Sequence, residues 1–227
     1  MTIDPETLRQ IEALKRDPRP LLVVDVDEVV LEFVTPFAAY LASRDFALGL
    51  ESFALHGNIV SRSDRKPVAD AQVTVLIDEF WGVQADWQQL ARGAGEALAA
   101  LAPAVEIVLL TAMPHAYRDH RMRHLATLGL PYPVLTIEMA KGPAVARLRG
   151  ESGRAVAFVD DIGRNHKSVL AEVPDAACFH LMAHAGLRKL LPPLPQGVVE
   201  VGDWDEALAL IAEALGVKPA EARKNGG

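Results

Sequence analysis

The segment 21–27 reads LLVVDVD, an unbroken apolar run that ends in two aspartates. Pro20 stands directly before it, and a proline there marks the start of a new element. Continuous apolar runs of this length are typical of strands that are buried on both faces of a parallel sheet. The segment therefore predicts a strand, buried on both faces, that delivers Asp25 and Asp27 to its carboxyl end.

Further segments along the chain repeat this pattern. The predicted strands that follow are 105–111, 134–136, 155–161, 177–181 and 198–201. Apolar residues at helical spacing predict helices over 7–15, 87–101, 117–128, 143–148, 166–171 and 204–215. Asp203 is the predicted N-cap of the last helix. Because strands alternate with helices, we expect an α/β fold with a doubly wound, Rossmann-like parallel sheet.

The stretch 33–82 interrupts this alternation and is too long for one crossover helix. It combines a helical pattern at 33–42, a Gly57-Asn58 turn signal before two β-branched residues, and a segment 69–80 in which strand and helix periodicities compete. We favour a helix for 69–80. The stretch is predicted to form a small inserted cap lobe, which leaves 1–32 and 83–227 as the α/β core.

Composition and charge exclude several classes of protein. The 227 residues include 23 Lys and Arg against 30 Asp and Glu, and half of them are apolar. This acidic balance disfavours partnership with nucleic acid or with an anionic membrane. The single cysteine, Cys178, excludes an intrachain disulfide and a Cys-rich zinc site, and its apolar segment predicts an inert core thiol. We expect a cytoplasmic protein, because no apolar stretch reaches the roughly 20 residues of a membrane span and the first 20 residues are acidic.

Polar side chains follow the apolar runs at the points where the predicted strands end. Ligands of open α/β sheets bind beyond the carboxyl ends of the strands, so these residues are expected to meet in one crevice. They are Asp25, Asp27, Thr111, Lys141, Asp160 and Asp161. Asp25 and Asp27 would point the same way in a regular strand, whereas a turn after Asp25 would separate them.

Each of these residue types has a use in phosphoryl transfer. Clustered carboxylates repel one another, and a hard cation such as Mg²⁺ relieves that repulsion while it neutralises phosphate charge. A carboxylate can also attack phosphorus and form an aspartyl-phosphate. Thr111 and Lys141 can donate hydrogen bonds to phosphate oxygens. The chain has no glycine-rich dinucleotide or nucleotide loop and no G-x-S-x-G elbow, so the pattern favours phosphate chemistry.

The order of these residues resembles that of the haloacid dehalogenase-like (HAD) hydrolases. The segment 25–29, DVDEV, is similar to the first motif of that family, and the LLT of 109–111 is similar to the second. Lys141 is similar to the third motif, and Asp160 with Asp161 to the acidic fourth. The resemblance covers about residues 20–182, and the insert 33–82 lies where the family carries its first type of cap.

The resemblance implies a role for each residue at the first and second motifs. Asp25 would be the nucleophile and a Mg²⁺ ligand. Asp27 would protonate the leaving oxygen and then deprotonate the hydrolytic water, and its backbone carbonyl would also bind the metal. An aspartate at position 27 points to the phosphatase branch of the family. Thr111 would hold the phosphoryl group.

At the later motifs, the resemblance makes Lys141 a second phosphoryl ligand and Asp160 a direct Mg²⁺ ligand. Asp161 would bind the metal directly or through water. The chain departs from the family pattern in two places. Glu28 replaces a small residue and crowds the turn after Asp27, and Asn165 stands where some members have a further acid.

Two further interpretations concern residues outside these motifs. His120 and His124 lie among Arg118, Arg121 and Arg123 on a predicted helix, which indicates a basic, solvated helix face. Four residues of the insert could contact a leaving group, with a surface position or packing inside the lobe as the alternative; they are His56, Arg62, Arg65 and Trp81.

Together these observations predict a Mg²⁺-dependent phosphomonoester hydrolase that acts on a small phosphorylated metabolite through an aspartyl-phosphate. A phosphotransferase or phosphomutase on the same scaffold is an alternative, because it shares the first half-reaction. A non-catalytic protein that binds a phosphorylated ligand is another, although such a protein has no need of Asp27. The physiological substrate and the oligomeric state stay open.

Overall fold

A computed structural model of the protein describes residues 2–15, 17–49 and 54–220. The strands, in chain order, are β1 Leu21–Val24, β2 Phe46–Leu48, β3 Ile59–Ser61, β4 Glu106–Thr111, β5 Val134–Thr136, β6 Val156–Asp160, β7 Ala177–His180 and β8 Val198–Glu200. Six of them form one parallel sheet in the order β5-β4-β1-β6-β7-β8. The strand predicted at 21–27 is therefore confirmed over Leu21–Val24, and it lies inside the sheet with β4 and β6 as its neighbours.

Helices outside the stretch 33–82 cover this sheet on both faces, as predicted, and two more helices lie within the described part of that stretch. The helices are α1 Pro5–Glu12, α2 Val34–Ala42, α3 Asp70–Val83, α4 Ala94–Leu101, α5 Arg118–Thr127, α6 Lys141–Arg149, α7 Gly163–Glu172 and α8 Trp204–Ala214. Asp203 caps α8 as expected, and its side chain accepts a hydrogen bond from the Glu206 amide. In the described parts of the chain, no helix is both long and apolar enough to cross a bilayer.

The prediction of a helix over 87–101 is wrong in its first half, because α4 begins at Ala94. Residues 89–91 instead pair with the loop that follows β1. The Ala91 amide donates to the Val30 carbonyl, and the Glu32 amide donates to the Gln89 carbonyl, both at 2.9 Å. Apolar spacing alone did not reveal this pairing, because it looks the same in a helix and in an extended segment packed on a core.

Alternation along β1 explains why its apolar run is unbroken. Leu22 and Val24 pack with α4 and α8 on one face of the sheet, whereas Leu21 and Val23 pack with α1, α6 and α7 on the other. All four side chains are fully buried. The strand is therefore sandwiched between two apolar layers, which holds its carboxyl end in a fixed position.

The segment between β1 and β4 has its own small core. β2 and β3 form an antiparallel hairpin, and α2 and α3 pack through an aromatic cluster. The helix favoured for 69–80 is confirmed as α3. The cluster consists of Phe33, Phe37, Tyr40, Phe80 and Trp81, and it contacts the α/β core through Met113, Met182 and Leu187.

Candidate active site

The end of β1 separates the two aspartates of the first motif. β1 stops at Val24, and the Val30 and Leu31 amides both donate to the Val26 carbonyl, which folds the chain into a tight loop. Asp25 and Asp27 consequently point to different groups of residues. The turn after Asp25, and not a continued strand, therefore describes the first motif.

Asp25 belongs to a group that we call the acidic cluster, made of Asp25, Lys141, Asp160 and Asp161. The Lys141 ammonium donates to Asp25 Oδ1 at 2.8 Å and to Asp160 Oδ2 at 2.7 Å. Carboxylate oxygens of the three aspartates lie within 4.8 Å of one another. The strand ends of β1 and β6 and the start of α6 thus bring four of the predicted residues together in a buried position.

This cluster carries more negative than positive charge. Burial is the largest cause that raises the pKa of Asp25, and the neighbouring Asp160 adds to the rise against the effect of Lys141. Burial and the charges of Asp160 and Asp25 also raise the pKa of Asp161 well above its usual value. Burial alone would lower the pKa of Lys141, but Asp160 and Asp25 outweigh it and raise that pKa. Three carboxyl groups surround one ammonium, so full ionisation of the cluster requires a further positive charge, which a divalent cation supplies.

Contacts behind the acidic cluster hold Asp160 and Lys141 in place. The Asn165 amide donates to both oxygens of Asp160, at 2.9 and 3.1 Å, so Asn165 holds the aspartate in place. Gly142, the residue after Lys141, packs so closely on α7 that a Cβ atom there would overlap the Ser168 carbonyl oxygen. Its amide donates to Ser168 Oγ at 3.0 Å. The starts of α6 and α7 are therefore fixed relative to each other.

Asp27 belongs to a different group, the arginine network, made of Asp27, Arg121, Gln84, Gln88 and Thr111. Asp27 Oδ1 accepts from Arg121 Nη1 and from Gln88 Nε2, both at 2.9 Å, and Thr111 Oγ1 donates to Asp27 Oδ2 at 3.2 Å. The guanidinium also donates to Gln84 Oε1 and, at 3.3 Å, to Gln88 Oε1. This network balances one carboxylate with one guanidinium.

The arginine network corrects the prediction of a solvated basic face on α5. Arg121 is fully buried and His124 nearly so, although His120 and Arg123 are exposed as expected. The spacing contained the signal, because Arg121 and His124 precede the apolar Leu125 on the same side of the helix. Because Arg121 and His124 are charged or polar, this spacing was interpreted as a solvated face. Sequence analysis also missed Gln84 and Gln88.

Glu28 forms hydrogen bonds that the sequence did not predict. It adopts a left-handed conformation with φ of 63°, and its side chain is buried. Its carboxylate accepts hydrogen bonds from the Val34 amide at 2.7 Å and from the Phe33 amide at 3.3 Å, at the start of α2. Burial raises the pKa of this carboxyl. The residue that was predicted to crowd the turn therefore connects the loop after β1 to the first helix of the insert.

A cavity of about 230 Å³ lies beside the aspartates of both groups. Its acidic part is formed by Asp25, Asp27, Glu28 and Asp161, and Arg164 also lines it. Lys141 and Thr111 lie behind this surface and are buried, with Thr111 directed at Asp27. Cys178 is buried in β7, and burial raises the pKa of its thiol to about 12, in keeping with an inert thiol.

Comparison with solved structures shows the fold of HAD-like hydrolases. The HAD-hydrolase YfnB from Bacillus subtilis aligns with a TM-score of 0.59 and 13% identity over 88% of this chain and 100% of that one. A HAD family hydrolase from Deinococcus radiodurans gives 0.57 and 17% over 89% and 99%, and a predicted phosphoglycolate phosphatase from Haemophilus somnus gives 0.54 and 14% over 85% and 98%. The fold that the sequence resemblance implies is therefore confirmed. No protein-family model and no curated protein matches the chain.

Proposed function

We propose that the protein is a Mg²⁺-dependent phosphomonoester hydrolase acting on small phosphorylated molecules. The observation that carries the proposal is the acidic cluster at the carboxyl ends of β1 and β6, where three carboxyl groups surround one ammonium beside a cavity. Open parallel sheets bind their ligands at this edge. The neighbouring structures support the choice, because the Deinococcus hydrolase has bound phosphate and sodium and YfnB has bound magnesium.

In the proposed first step, an Asp25 oxygen attacks the phosphorus atom of the ester. The bond between phosphorus and the leaving oxygen breaks, and Asp27 gives that oxygen a proton. The product is an aspartyl-phosphate on Asp25 and a free alcohol. In the second step Asp27 takes a proton from water, and the water oxygen bonds to phosphorus. The bond between phosphorus and the Asp25 oxygen breaks, which frees inorganic phosphate and regenerates the Asp25 carboxylate.

Other residues of the site would stabilise charge. Lys141 already contacts Asp25, so its ammonium lies where it can compensate the negative charge that accumulates as the phosphoryl group approaches. Thr111 would donate to the phosphoryl group after its hydroxyl leaves Asp27 Oδ2. Both roles come from the sequence resemblance and are part of the proposal.

The residues fit a divalent cation. Asp25, Asp160 and Asp161 offer three carboxylate oxygens close enough to share one ion, and oxygen is the ligand that Mg²⁺ prefers. The carbonyl of Asp27 is the proposed fourth protein ligand. A bound Mg²⁺ would neutralise phosphate charge and polarise the phosphoryl oxygens.

We also propose that the segment 33–82 acts as a cap lobe and that 1–32 and 83–227 form the catalytic core. Residues of the insert, among them Phe33, Leu48 and Trp81, line the cavity beside Asp25. A lobe in this position would exclude water from the phosphoryl group and select among leaving groups.

The test is hydrolysis of 4-nitrophenyl phosphate by metal-depleted protein, with and without added MgCl₂. We expect turnover that depends on Mg²⁺ and a loss on the order of 10³-fold or more in Asp25→Asn. Asp205→Asn, an exposed change of the same chemistry, is the matched control. Full activity in Asp25→Asn would remove Asp25 from the mechanism.

Two further measurements separate the alternatives. Phosphate release in the presence of added alcohols distinguishes a hydrolase, which yields inorganic phosphate, from a transferase, which yields a new ester. If no ester is turned over, mass spectrometry of protein incubated with beryllofluoride and Mg²⁺ tests whether Asp25 accepts a phosphoryl mimic. Binding of inorganic phosphate without adduct or turnover would favour the non-catalytic alternative.

A further inference from the structure

The cavity beside the acidic cluster differs in character along its walls. One part is formed by the carboxylates of Asp25, Asp27, Glu28 and Asp161. Most of the remaining lining is apolar and comes from Phe33, Val34, Leu48, Leu55, Trp81 and Leu187. Under the proposed function the carboxylate part receives the phosphoryl group, so the apolar part has to receive the rest of the substrate.

The apolar part is held in place by aromatic packing. The Phe33 and Trp81 rings lie 5.4 Å apart, and Phe80 packs edge-on against Phe33 at 5.6 Å. The Arg121 guanidinium lies 5.4 Å from the centre of the Trp81 ring. These contacts hold the Phe33 and Trp81 rings in place, so the wall that they form stays apolar.

We propose that the leaving group of the substrate is a compact apolar alcohol, of about the size of a single ring. This inference rests on the proposed function and adds the substrate class to it. Hydroxyl groups of a sugar or a glycerol would lose their water against these walls without gaining hydrogen bonds, whereas an apolar group gains from burial. A cavity of about 230 Å³ is also smaller than the roughly 300–1,000 Å³ of pockets for larger ligands.

Arg164 supplies the competing possibility. It lies on α7 at the exposed edge of the cavity, and within the described residues its side chain forms no hydrogen bond or ion pair. A guanidinium in this position could bind a second anionic group, such as the carboxylate of a phosphorylated hydroxy acid. The experiment therefore includes a substrate of that kind.

The experiment compares kcat/KM for benzyl phosphate, glycerol 3-phosphate and phosphoglycolate in the presence of Mg²⁺. All three are esters of alkyl alcohols, so the comparison reports mainly on the shape and polarity of the leaving group. We expect benzyl phosphate to be preferred by at least about tenfold. Equal or better turnover of either polar ester would overturn the inference while it leaves the phosphatase proposal intact.

Variants of the lining locate the effect. Leu48→Ser changes a half-buried residue of the cavity and should reduce the preference for benzyl phosphate by about fivefold or more. Val75→Ser, an exposed apolar residue on α3, is the matched control and should leave the preference unchanged. If the protein hydrolyses none of the esters, calorimetry decides the point. Benzylphosphonate must then bind more tightly than methylphosphonate, and equal affinities would contradict the inference.

A second observation, independent of the cavity walls, concerns Arg121. An arginine side chain is rarely fully buried without charged or polar partners, because burial removes the water that hydrates its guanidinium. Here the guanidinium is fully buried, and its partners are Asp27, Gln84 and Gln88 together with the face of Trp81. The two glutamines follow α3, whereas Arg121 lies on α5, so the network joins distant parts of the chain at one carboxylate.

The geometry of Asp27 shows what the network controls. Arg121 and Gln88 both donate to Oδ1, which fixes the plane of the carboxylate and occupies that oxygen. Among the residues that the structure describes, Oδ2 has only the longer 3.2 Å contact with Thr111. We infer that Arg121 is a positioning residue, which holds Asp27 so that Oδ2 is the oxygen that exchanges protons with the leaving group.

The dependence on leaving group tests this role. An activated ester such as 4-nitrophenyl phosphate needs little proton transfer, whereas benzyl phosphate needs it fully. If Arg121 positions the proton donor, Arg121→Lys should lower kcat/KM for benzyl phosphate by about 10²-fold and for 4-nitrophenyl phosphate by less than about tenfold. In an Asp27→Asn background the same change should have almost no further effect on this ratio.

A purely structural role predicts a different outcome. Equal losses with both esters, or additive losses in the double variant, would overturn the inference. Gln88→Leu provides a second route if Arg121→Lys folds poorly, because it removes the other donor to Oδ1 and should change the ratio in the same direction. Absence of turnover with both esters in the wild-type protein would contradict the proposed function and this role together.

Discussion

The acidic cluster and the arginine network lie at the same edge of the sheet but treat charge in opposite ways. The acidic cluster surrounds Lys141 with three carboxylates, whereas the network pairs Asp27 with Arg121 and saturates both with glutamines. An excess of like charge is a cost that a bound cation can relieve, and a balanced network is stable without a ligand. The contrast teaches that two neighbouring aspartates of one motif can lie in opposite electrostatic surroundings.

The largest effect should follow removal of the positive charge of Lys141 from the acidic cluster. Lys141→Met leaves three buried carboxylates without a counter-charge, and we expect a loss of about 3–5 kcal/mol in the free energy of unfolding without metal. Millimolar MgCl₂ should recover part of it, because a cation replaces the lost charge. Urea denaturation with and without MgCl₂ measures the loss in the free energy of unfolding and its recovery. Lys167→Met, an exposed change on α7, is the control.

The equivalent change in the arginine network should cost less. After Arg121→Met, Asp27 keeps Gln88 and Thr111, and its side chain is 20% exposed, so water can reach it. We expect a loss of about 2–4 kcal/mol that does not change with MgCl₂. The exposed Arg123→Met on the same helix is the matched variant. A loss that Mg²⁺ recovers would show that the two groups are one electrostatic unit.

Removal of a negative charge from the acidic cluster should act in the opposite direction. Asp161→Asn relieves repulsion from Asp160 and Asp25, so we expect the metal-free protein to gain about 1 kcal/mol in the free energy of unfolding. The rise in Tm on addition of MgCl₂ should shrink, because one ligand oxygen is lost. Thermal unfolding at several MgCl₂ concentrations measures this. A destabilised metal-free variant would contradict the charge excess on which the comparison rests.

The smallest effect concerns pH and the arginine network. Burial, followed by the nearby Arg121 charge, lowers the pKa of His124 below its usual value of about 6.5. The unfolded chain therefore binds a proton more readily than the folded one, so stability is full above pH 6.5 and falls as the pH drops below it. We expect a contribution of less than about 1 kcal/mol between pH 7 and 5. His124→Gln should flatten the pH dependence of urea midpoints, with the exposed His120→Gln as the comparison.

The framework of the fold was predictable because the strands are buried on both faces. A strand such as Leu21–Val24 shows its position by composition alone, and the acids that follow it are conspicuous. The partners of those acids were less accessible. Arg121 lies 94 residues from Asp27 in sequence, and a lone arginine on a helix has the same appearance whether it is solvated or buried.

The errors had a similar origin in tertiary contacts. The start of α4 depends on Gly93, with φ of 81°, and on pairing of 89–91 with the loop after β1, neither of which leaves a periodic signal. Glu28 was interpreted from its size, whereas its conformation and its bonds to the α2 amides determine what it does. Local patterns reveal which residues leave water but not which group each one meets.

Gly142 has a consequence for how this protein can diverge. The residue takes no part in binding or chemistry, yet any side chain there would overlap the Ser168 carbonyl and push α6 away from α7. Because Lys141 stands next to it, that displacement would draw the ammonium away from Asp25 and Asp160. A sequence that diverges from this one can therefore retain the distance between these two helices only if it keeps a glycine after the lysine.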